Sequence, residues 1–230
     1  MSHNNTLKLS CKKNIHVNVA QEIACSILSG KFQQEDTIPG EKVLCEQLGV
    51  SRTALREAIK LLTAKGLLES KPKVGTKVVN RRYWNFLDPQ LLSWIKTYQE
   101  TDTLYQQFNN LRQAVEPEAS ALAATNATAE QRIELSEIFQ NLCQMNRNNT
   151  PDEWANVDMQ FHRLIFIATN NDFYLPFGNI HKVLFKNYIH YSLKSDGIRQ
   201  NGHRDLYEAI MAGNADKARL ASQYILNTRL

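Results

Sequence analysis

The chain has 230 residues, enough for two domains of ordinary size that each bury a hydrophobic core. Its net charge is +4, and the basic excess is uneven: residues 1–80 carry 12 Lys and Arg against 7 Asp and Glu, whereas residues 81–230 carry 15 against 16. Four cysteines without Cys-x-x-Cys spacing argue against a disulfide framework, and no apolar run approaches membrane-spanning length. We therefore expect a cytoplasmic protein whose N-terminal part suits nucleic acid.

The first predicted elements are two helices. Apolar residues recur at helical spacing over residues 20–28, and Gly30 follows them as a helix-ending residue. A second, short helix is predicted over residues 41–48. Gly49 ends this helix, because the left-handed backbone conformation needed there strains other residues more than glycine.

The segment Gly49–Lys60 predicts the turn and recognition helix of a helix-turn-helix. Ser51 is placed to cap the helix, while Arg52 and Arg56 share a stripe with Thr53 near the helix start. The start of such a helix enters the major groove, where its side chains meet bases and phosphates. Ordinary solvated helices carry the same basic spacing, so this segment alone leaves both readings open. The opposite, apolar face consists of Leu55, Ala58, Ile59 and Leu62.

A basic hairpin is predicted after the recognition helix. Residues 67–70 and 76–79 have the composition of short strands, and a turn containing Pro and Gly joins them. Three helices followed by a hairpin form a winged helix-turn-helix, which we assign to residues 1–80. The lysines of such a wing suit phosphate contact, which adds affinity without sequence information. The wing residues expected to contact DNA are Lys71, Lys73 and Thr76.

After residue 80 the strand signals stop and helical signals continue. Thr128-x-x-Gln131 has the pattern of a capping box, and Pro151 after Thr150 suits the first turn of another helix. Amphipathic segments lie on either side of both signals. We therefore predict a mainly α protein, in which residues 81–230 form an antiparallel bundle of six or seven helices.

One pair in this half has metal-ligand spacing. Asp158 and His162 are four residues apart in a predicted helix, so their side chains face the same way. A carboxylate and an imidazole so placed can bind one divalent ion, although a surface Asp–His contact or a core histidine has the same spacing. Further polar and aromatic residues suit either a pocket lining or the core, namely His181, Tyr188, His190, Tyr191 and Arg199.

The first 80 residues carry a dense signature: Ile38-Pro39-x-Glu41, Leu44-x-Glu46-x-Leu48-Gly49-Val50-Ser51-Arg52-Thr53-x-Leu55-Arg56-Glu57-Ala58, and Gly66-Leu67-Leu68-Glu69 to Gly75-Thr76. Residues 17–79 thereby resemble the DNA-binding domain of the GntR family of bacterial transcription factors. The resemblance implies DNA contacts from Lys42, Arg52 and Arg56. Lys42 stands where the family has arginine, and Lys73 and Val74 stand where the wing usually has Gly and Arg.

The second half carries three further motifs: Leu111-Arg112-x-x-Val115-Glu116-Pro117-x-Ala119, Asp158-x-x-Phe161-His162, and His203-x-x-Leu206-Tyr207-x-Ala209-Ile210. It resembles the all-helical FCD effector domain of the FadR subfamily. This resemblance implies a divalent metal, zinc or similar, held by Asp158, His162 and His203, and a carboxylate held by Arg112. The expected fourth ligand position carries Ile225, which cannot coordinate. Either three side chains hold the metal with water and effector, or the pocket binds an acid directly.

These resemblances imply a metabolite-responsive transcriptional regulator, a repressor by expectation. A homodimer would place two recognition helices in successive major grooves of a palindromic operator. Residues 84–94 are similar to those of sugar-acid operon repressors, particularly of the D-galactonate operon, which implies release by a small carboxylate such as a sugar acid. The alternatives are an activating or acyl-CoA-responsive regulator, and a metal-dependent hydrolase with an accessory DNA-binding domain. We expect no enzyme, since the sequence lacks a nucleophile elbow and a phosphate loop.

Overall fold

A computed structural model describes residues 15–98, 101–145, 149–192 and 198–227. Side chains are described for these residues except 98, 101, 185–192 and 198–201, so the pocket candidates Tyr188, His190, Tyr191 and Arg199 lie outside the described side chains. The chain divides into two units, and their main boundary lies between Phe86 and Leu87, with Thr97 grouped in the first unit. None of the described helices is both long and apolar enough to cross a membrane.

The first unit begins with three helices, α1 (Ile15–Leu28), α2 (Glu41–Leu48) and α3 (Arg52–Ala64). The apolar faces of α1 and α3 pack together, and Ile23, Leu55 and Leu62 are almost completely buried there. The helical spacing of these apolar residues places them on one face of each helix, and packing of the two faces removes them from water. The two helices expected before the turn and the recognition helix after it are thus confirmed.

Two residues build the turn between α2 and α3. Gly49 ends α2 with φ of 64° and ψ of 35°, a left-handed conformation that costs glycine little. The Ser51 hydroxyl accepts a hydrogen bond from the Ala54 N–H at 3.2 Å and so caps the start of α3. Both features confirm the sequence-based prediction.

The wing is an antiparallel hairpin of β1 (Leu68–Lys71) and β2 (Gly75–Val78). Its register runs from Leu68 opposite Val78 to Lys71 opposite Gly75. Each strand reaches one residue closer to the turn than predicted, because the Val74 N–H donates to the Lys71 carbonyl at 3.2 Å and closes the turn tightly. Lys73 takes the left-handed position of this turn, with φ of 64°.

The segment after the wing folds back onto the end of α3. A short 3-10 helix spans Arg81–Tyr83, and the Trp84 indole N–H donates to the Val79 carbonyl at 3.0 Å. Gly66, which follows α3, has φ of 78° and lies directly against the backbone of this segment. A side chain at this position would collide with it.

The second unit contains seven helices within the described residues, which agrees with the six or seven predicted. Their bounds are α4 (Pro89–Tyr98), α5 (Thr101–Asn126), α6 (Ala129–Gln144), α7 (Pro151–Ala168), α8 (Leu175–Ser192), α9 (Ile198–Met211) and α10 (Ala215–Asn227). The predicted capping box at Thr128 starts α6, and α7 starts at Pro151 as predicted. Thr150 and Glu153 form a second capping box, which was not predicted from the sequence. α4 starts at Pro89, where the Asp88 carboxylate accepts a hydrogen bond from the Leu91 N–H at 2.7 Å.

Helix α5 packs against α7, α8, α9 and α10. The core of this unit is rich in aromatic side chains: the rings of Phe139 and Tyr207 stack with centroids 4.2 Å apart, and Phe161 is fully buried. Polar side chains on the inward positions of α5, α7, α8 and α9 therefore meet in an enclosed space.

Gly66 and Gly30 provide a matched test of the packing behind the wing. Both have φ of 78°, but a Cβ at Gly66 would lie 2.4 Å from the Tyr83 carbonyl oxygen, whereas none of the described atoms lies within 4 Å of one at Gly30. Gly30→Ala is expected to lower the free energy of unfolding by about 1–2 kcal/mol through backbone strain. Gly66→Ala should cost about 1–3 kcal/mol more, because the backbone must shift. Urea unfolding of the full-length variants measures both, and equal losses would contradict this account.

Candidate functional site

The recognition helix presents its two arginines to solvent. The side chains of Arg52 and Arg56 are 70% and 65% exposed, whereas Leu55 is buried in the core. Residues four apart share a helix face, so one helix serves both the core and a ligand surface. The other residues expected to contact DNA in this region are also exposed, namely Lys42, Ser51 and Thr53.

Sequence reasoning missed Glu41, in the first turn of α2, as a partner of both arginines. Its carboxylate accepts a hydrogen bond from Arg56 Nε at 2.8 Å and lies 3.8 Å from Arg52 Nε. Exposed ion pairs contribute little stability. Glu41 instead sets the direction in which the Arg56 guanidinium points. The motif Ile38-Pro39-x-Glu41 contained this residue, but no periodicity links it to α3.

The wing carries its polar side chains on the exposed hairpin. Lys71 Nζ lies 3.0 Å from a Glu69 carboxylate oxygen, and Lys73 lies exposed at the turn. The Thr76 hydroxyl lies 3.0 Å from the Ser70 hydroxyl across the hairpin, which ties the strands together on that face. The three wing residues predicted to contact DNA thus share one small element, in which Lys71 and Lys73 are exposed and Thr76 is half-buried.

Six polar side chains from four helices converge inside the second unit. Each of them is at most 5% exposed. Charged side chains are rarely buried this deeply unless they are paired or bind metal. Burial rules out the surface Asp–His contact that the sequence left open. The cluster consists of Arg112 and Glu116 of α5, Asp158 and His162 of α7, His181 of α8 and His203 of α9.

The Glu116 carboxylate lies at the centre of this cluster. Its oxygens accept from Arg112 Nε at 2.5 Å and from Arg112 Nη2 at 3.1 Å. His162 Nδ1 lies 3.0 Å and His181 Nε2 lies 3.3 Å from the same carboxylate. Burial acts to raise the pKa of the Glu116 carboxyl, but Arg112 and the two imidazoles outweigh it and hold this pKa well below its usual value.

The two histidines beside Glu116 are neutral. Burial lowers the pKa of His162 to about 3 and also lowers that of His181, although Glu116 opposes both shifts. A neutral imidazole has one ring N–H, and a carboxylate only accepts. The His162 proton therefore lies on Nδ1, toward Glu116. The lone pair of its Nε2 faces Asp158, whose Oδ1 is 3.9 Å away.

Asp158, His162 and His203 form a group whose ligand atoms lie within 4.8 Å of one another. His203 Nε2 is 2.7 Å from Asp158 Oδ1. One oxygen and two nitrogen ligands suit zinc, whose bonds to them measure about 2.0–2.2 Å. The residues expected to hold a metal are thus brought together, and their donors fit one.

A second group with the same spacing consists of Glu116, His162 and His181. It suits a cation less well, because the guanidinium of Arg112 already neutralises Glu116 and repels a further positive charge. Both groups share the His162 ring, through its opposite nitrogens. The second group therefore fits better as support for the first than as a metal site of its own.

Ile225, at the expected fourth ligand position, lies close to this cluster. It is 3% exposed, and its Cγ1 would lie 2.7 Å from a Cβ placed on Gly202, the residue before His203. An apolar side chain therefore packs against the α9 backbone beside a proposed ligand.

Arg112, expected to hold an effector carboxylate, is engaged by Glu116 on two of its nitrogens. The cavity beside the pair measures about 10 Å³ and is lined by residues that include Phe108 and His181. Such a volume holds about one water molecule. Arg112 and Glu116 are four residues apart on α5, so helical spacing alone indicates that they can pair, but it reveals neither the burial of the pair nor the central place of Glu116. The sequence also gave no decisive signal for His181.

Two family models match the chain. That of the bacterial regulatory proteins of the gntR family matches residues 16–78, and that of the FCD domain matches residues 107–228, more than half of the chain. The chain belongs to the GntR family of transcriptional regulators. It joins a DNA-binding winged helix-turn-helix to an FCD effector domain, which fits a regulator that responds to a metabolite.

Curated relatives support this assignment over most of the chain, and a solved structure shares its fold. The HTH-type transcriptional regulator YieP of Escherichia coli is 34% identical over 221 residues, 96% of each chain. The galactonate operon transcriptional repressor of Escherichia coli is 32% identical over 146 residues, 63% of this chain and 62% of the repressor. The solved structure of Listeria monocytogenes Lar has the same fold, with a TM-score of 0.60 at 18% identity over 93% of this chain and 94% of Lar.

Replacing Arg52 tests the DNA surface. We expect Arg52→Ala to weaken binding to the preferred DNA sequence by about 1–3 kcal/mol, the range for loss of a bidentate base contact. Lys60→Ala is the matched control, since Lys60 is an exposed cation later on the same helix, paired with Glu57. Gel-shift titrations with a selected binding sequence and a scrambled one give both affinities. Equal losses in the two variants would contradict base contact by Arg52.

Proposed function

We propose that this regulator is a repressor that binds a palindromic operator as a homodimer and leaves it when a small carboxylate, such as a sugar acid, binds to the FCD domain. The buried cluster around Glu116 carries the proposal, because Arg112 suits a carboxylate and Asp158, His162 and His203 suit a metal. The galactonate operon repressor, similar over 63% of this chain, supports a sugar acid as the effector class.

On DNA, the exposed start of α3 would enter the major groove. Arg52 and Arg56 can each present two donors to a guanine, whereas Lys42 offers a single point charge that suits phosphate. Ser51 and Thr53 at the helix start would contact the backbone. The lysines of the wing, with Thr76, would contact neighbouring phosphates. Two copies one helical turn apart, about 34–36 Å, would read the two halves of a palindrome.

In the FCD domain, Asp158, His162 and His203 would hold one divalent ion. When bound, the ion supplies positive charge and open coordination positions for oxygen ligands. Arg112 would hold the effector carboxylate from the α5 side. Ile225 contributes no ligand and places an apolar surface against the α9 backbone. The negative charge of a small acid therefore suits both the bound ion and Arg112.

For the acid to release DNA, it must bind the free regulator with higher affinity than the DNA-bound regulator. The typical coupling of this kind is about 1–3 kcal/mol, a 5- to 150-fold change in affinity. The closed cluster, with about 10 Å³ of space beside Arg112, implies that side chains move to admit an acid. Such a rearrangement is the step that would be transmitted to the subunit geometry.

The function is tested with a selected DNA sequence and a panel of sugar acids. We expect D-galactonate to weaken DNA binding at least about 5-fold, and the neutral sugar D-galactose to have no effect because it lacks a carboxylate for Arg112. Gel shifts at fixed salt measure this, and a reporter strain gives the sign of regulation. A panel that leaves DNA binding unchanged would contradict release by a sugar acid, and lower expression on gene deletion would favour an activator.

Ile225→His tests the proposed metal site directly. A histidine at this position would add a fourth ligand beside His203, so we expect a higher zinc affinity without any acid. The wild-type chain, with three ligands, should bind zinc more tightly when an acid is present. Zinc titrations of both chains, with and without D-galactonate, measure this. Tight acid-independent zinc binding by the wild type, unchanged by the histidine, would show that another residue supplies the fourth ligand.

A further inference from the structure

We propose that the Glu116 carboxylate couples the metal site to the effector site, so that each ligand strengthens the binding of the other. This inference rests on the proposed function, which places a metal at Asp158, His162 and His203 and a carboxylate at Arg112. One juxtaposition motivates it: the same carboxylate contacts both the proposed effector clamp and a proposed metal ligand.

On the effector side, Glu116 occupies the place that an incoming carboxylate needs. Its oxygens lie 2.5 and 3.1 Å from Arg112 Nε and Nη2, the two-point geometry of a guanidinium–carboxylate pair. The adjoining cavity of about 10 Å³ leaves no room for an organic acid beside this pair. A bidentate effector therefore takes over contacts to Arg112 that Glu116 makes in its absence.

On the metal side, Glu116 holds the other end of the His162 ring. His162 Nδ1 lies 3.0 Å from the carboxylate, so the proton stays on Nδ1 and the lone pair of Nε2 faces Asp158. A carboxylate in this position orients a metal-binding histidine and makes it a stronger ligand. When the effector carboxylate pairs with Arg112, Glu116 no longer shares its negative charge with that guanidinium. The charge then acts mainly on the imidazoles and makes His162 a still stronger metal ligand. Metal affinity rises, and linkage requires the effector affinity to rise equally.

His181 allows Glu116 to exchange partners without leaving the cluster. Its Nε2 lies 3.3 Å from the carboxylate oxygen that also contacts Arg112 Nε. Two imidazole donors, one from α7 and one from α8, then remain for the buried charge. A buried carboxylate left without donors would be strongly unfavourable. The arrangement thus offers Glu116 a second stable set of contacts.

The test measures four binding constants on the full-length chain by calorimetry: Co²⁺ with and without D-galactonate, and D-galactonate with and without Co²⁺. Glu116→Gln removes the charge at nearly constant shape. Glu118→Gln is the matched control, since Glu118 lies on the same helix but pairs with Arg219 at the surface. The wild type and the control should show coupling of about 5-fold or more. Glu116→Gln should bind Co²⁺ about 10- to 100-fold more weakly and lose the coupling.

Two results overturn this inference and leave the proposed function intact. In the first, Glu116→Gln retains the coupling; in the second, the wild type binds both ligands without any coupling between them. A wild type that binds neither Co²⁺ nor D-galactonate overturns the proposed ligands together with the inference. If Glu116→Gln does not fold by circular dichroism, ¹⁵N spectra of the wild-type chain decide. They should show the Nδ1–H form of His162 before and after D-galactonate is added, and the Nε2–H form would overturn the inference.

Discussion

The buried charge of Glu116 must be neutralised, and three helices of the FCD domain place polar side chains around it. Moving such an ion from water into a dry interior costs about 20 kcal/mol in the idealised limit and several kcal/mol in real proteins. Arg112, His162 and His181 supply the donors from α5, α7 and α8. Loss of one partner from a buried pair typically costs about 3–5 kcal/mol. The cluster therefore fixes how these helices are placed, as well as offering ligand contacts.

The DNA-binding surface follows the opposite logic, because its charges are exposed. The Arg56–Glu41 pair lies at the surface, with the arginine side chain 65% exposed, and such pairs are worth about 0–1 kcal/mol. The contact directs the guanidinium yet is easily exchanged for a phosphate or base. A buried charge cluster in one unit and exposed, loosely held charges in the other thus suit a ligand sensor and a DNA reader respectively. The difference between the two arrangements follows from how far the charged groups remain exposed to water.

Much of the fold was determined by residues close together in the sequence. The left-handed Gly49, the Ser51 cap and the capping box at Thr128 involve contacts over at most a few residues, so the sequence reveals them directly. The shared face of Asp158 and His162 follows from helical periodicity in the same way. The limits of the wing strands were less predictable, because they depend on how tightly the turn closes.

Only the tertiary structure decided which of these local features meet. Glu116 was visible as a neighbour of Arg112, but its contacts with His162 and His181 join three helices that no periodicity relates. Glu41 of α2 likewise accepts a hydrogen bond from Arg56 of α3. A sequence pattern records the direction of a side chain relative to its own helix, whereas a buried electrostatic cluster depends on the packing of several helices. The identity of the central carboxylate, and the small size of the cavity beside Arg112, therefore followed from packing alone.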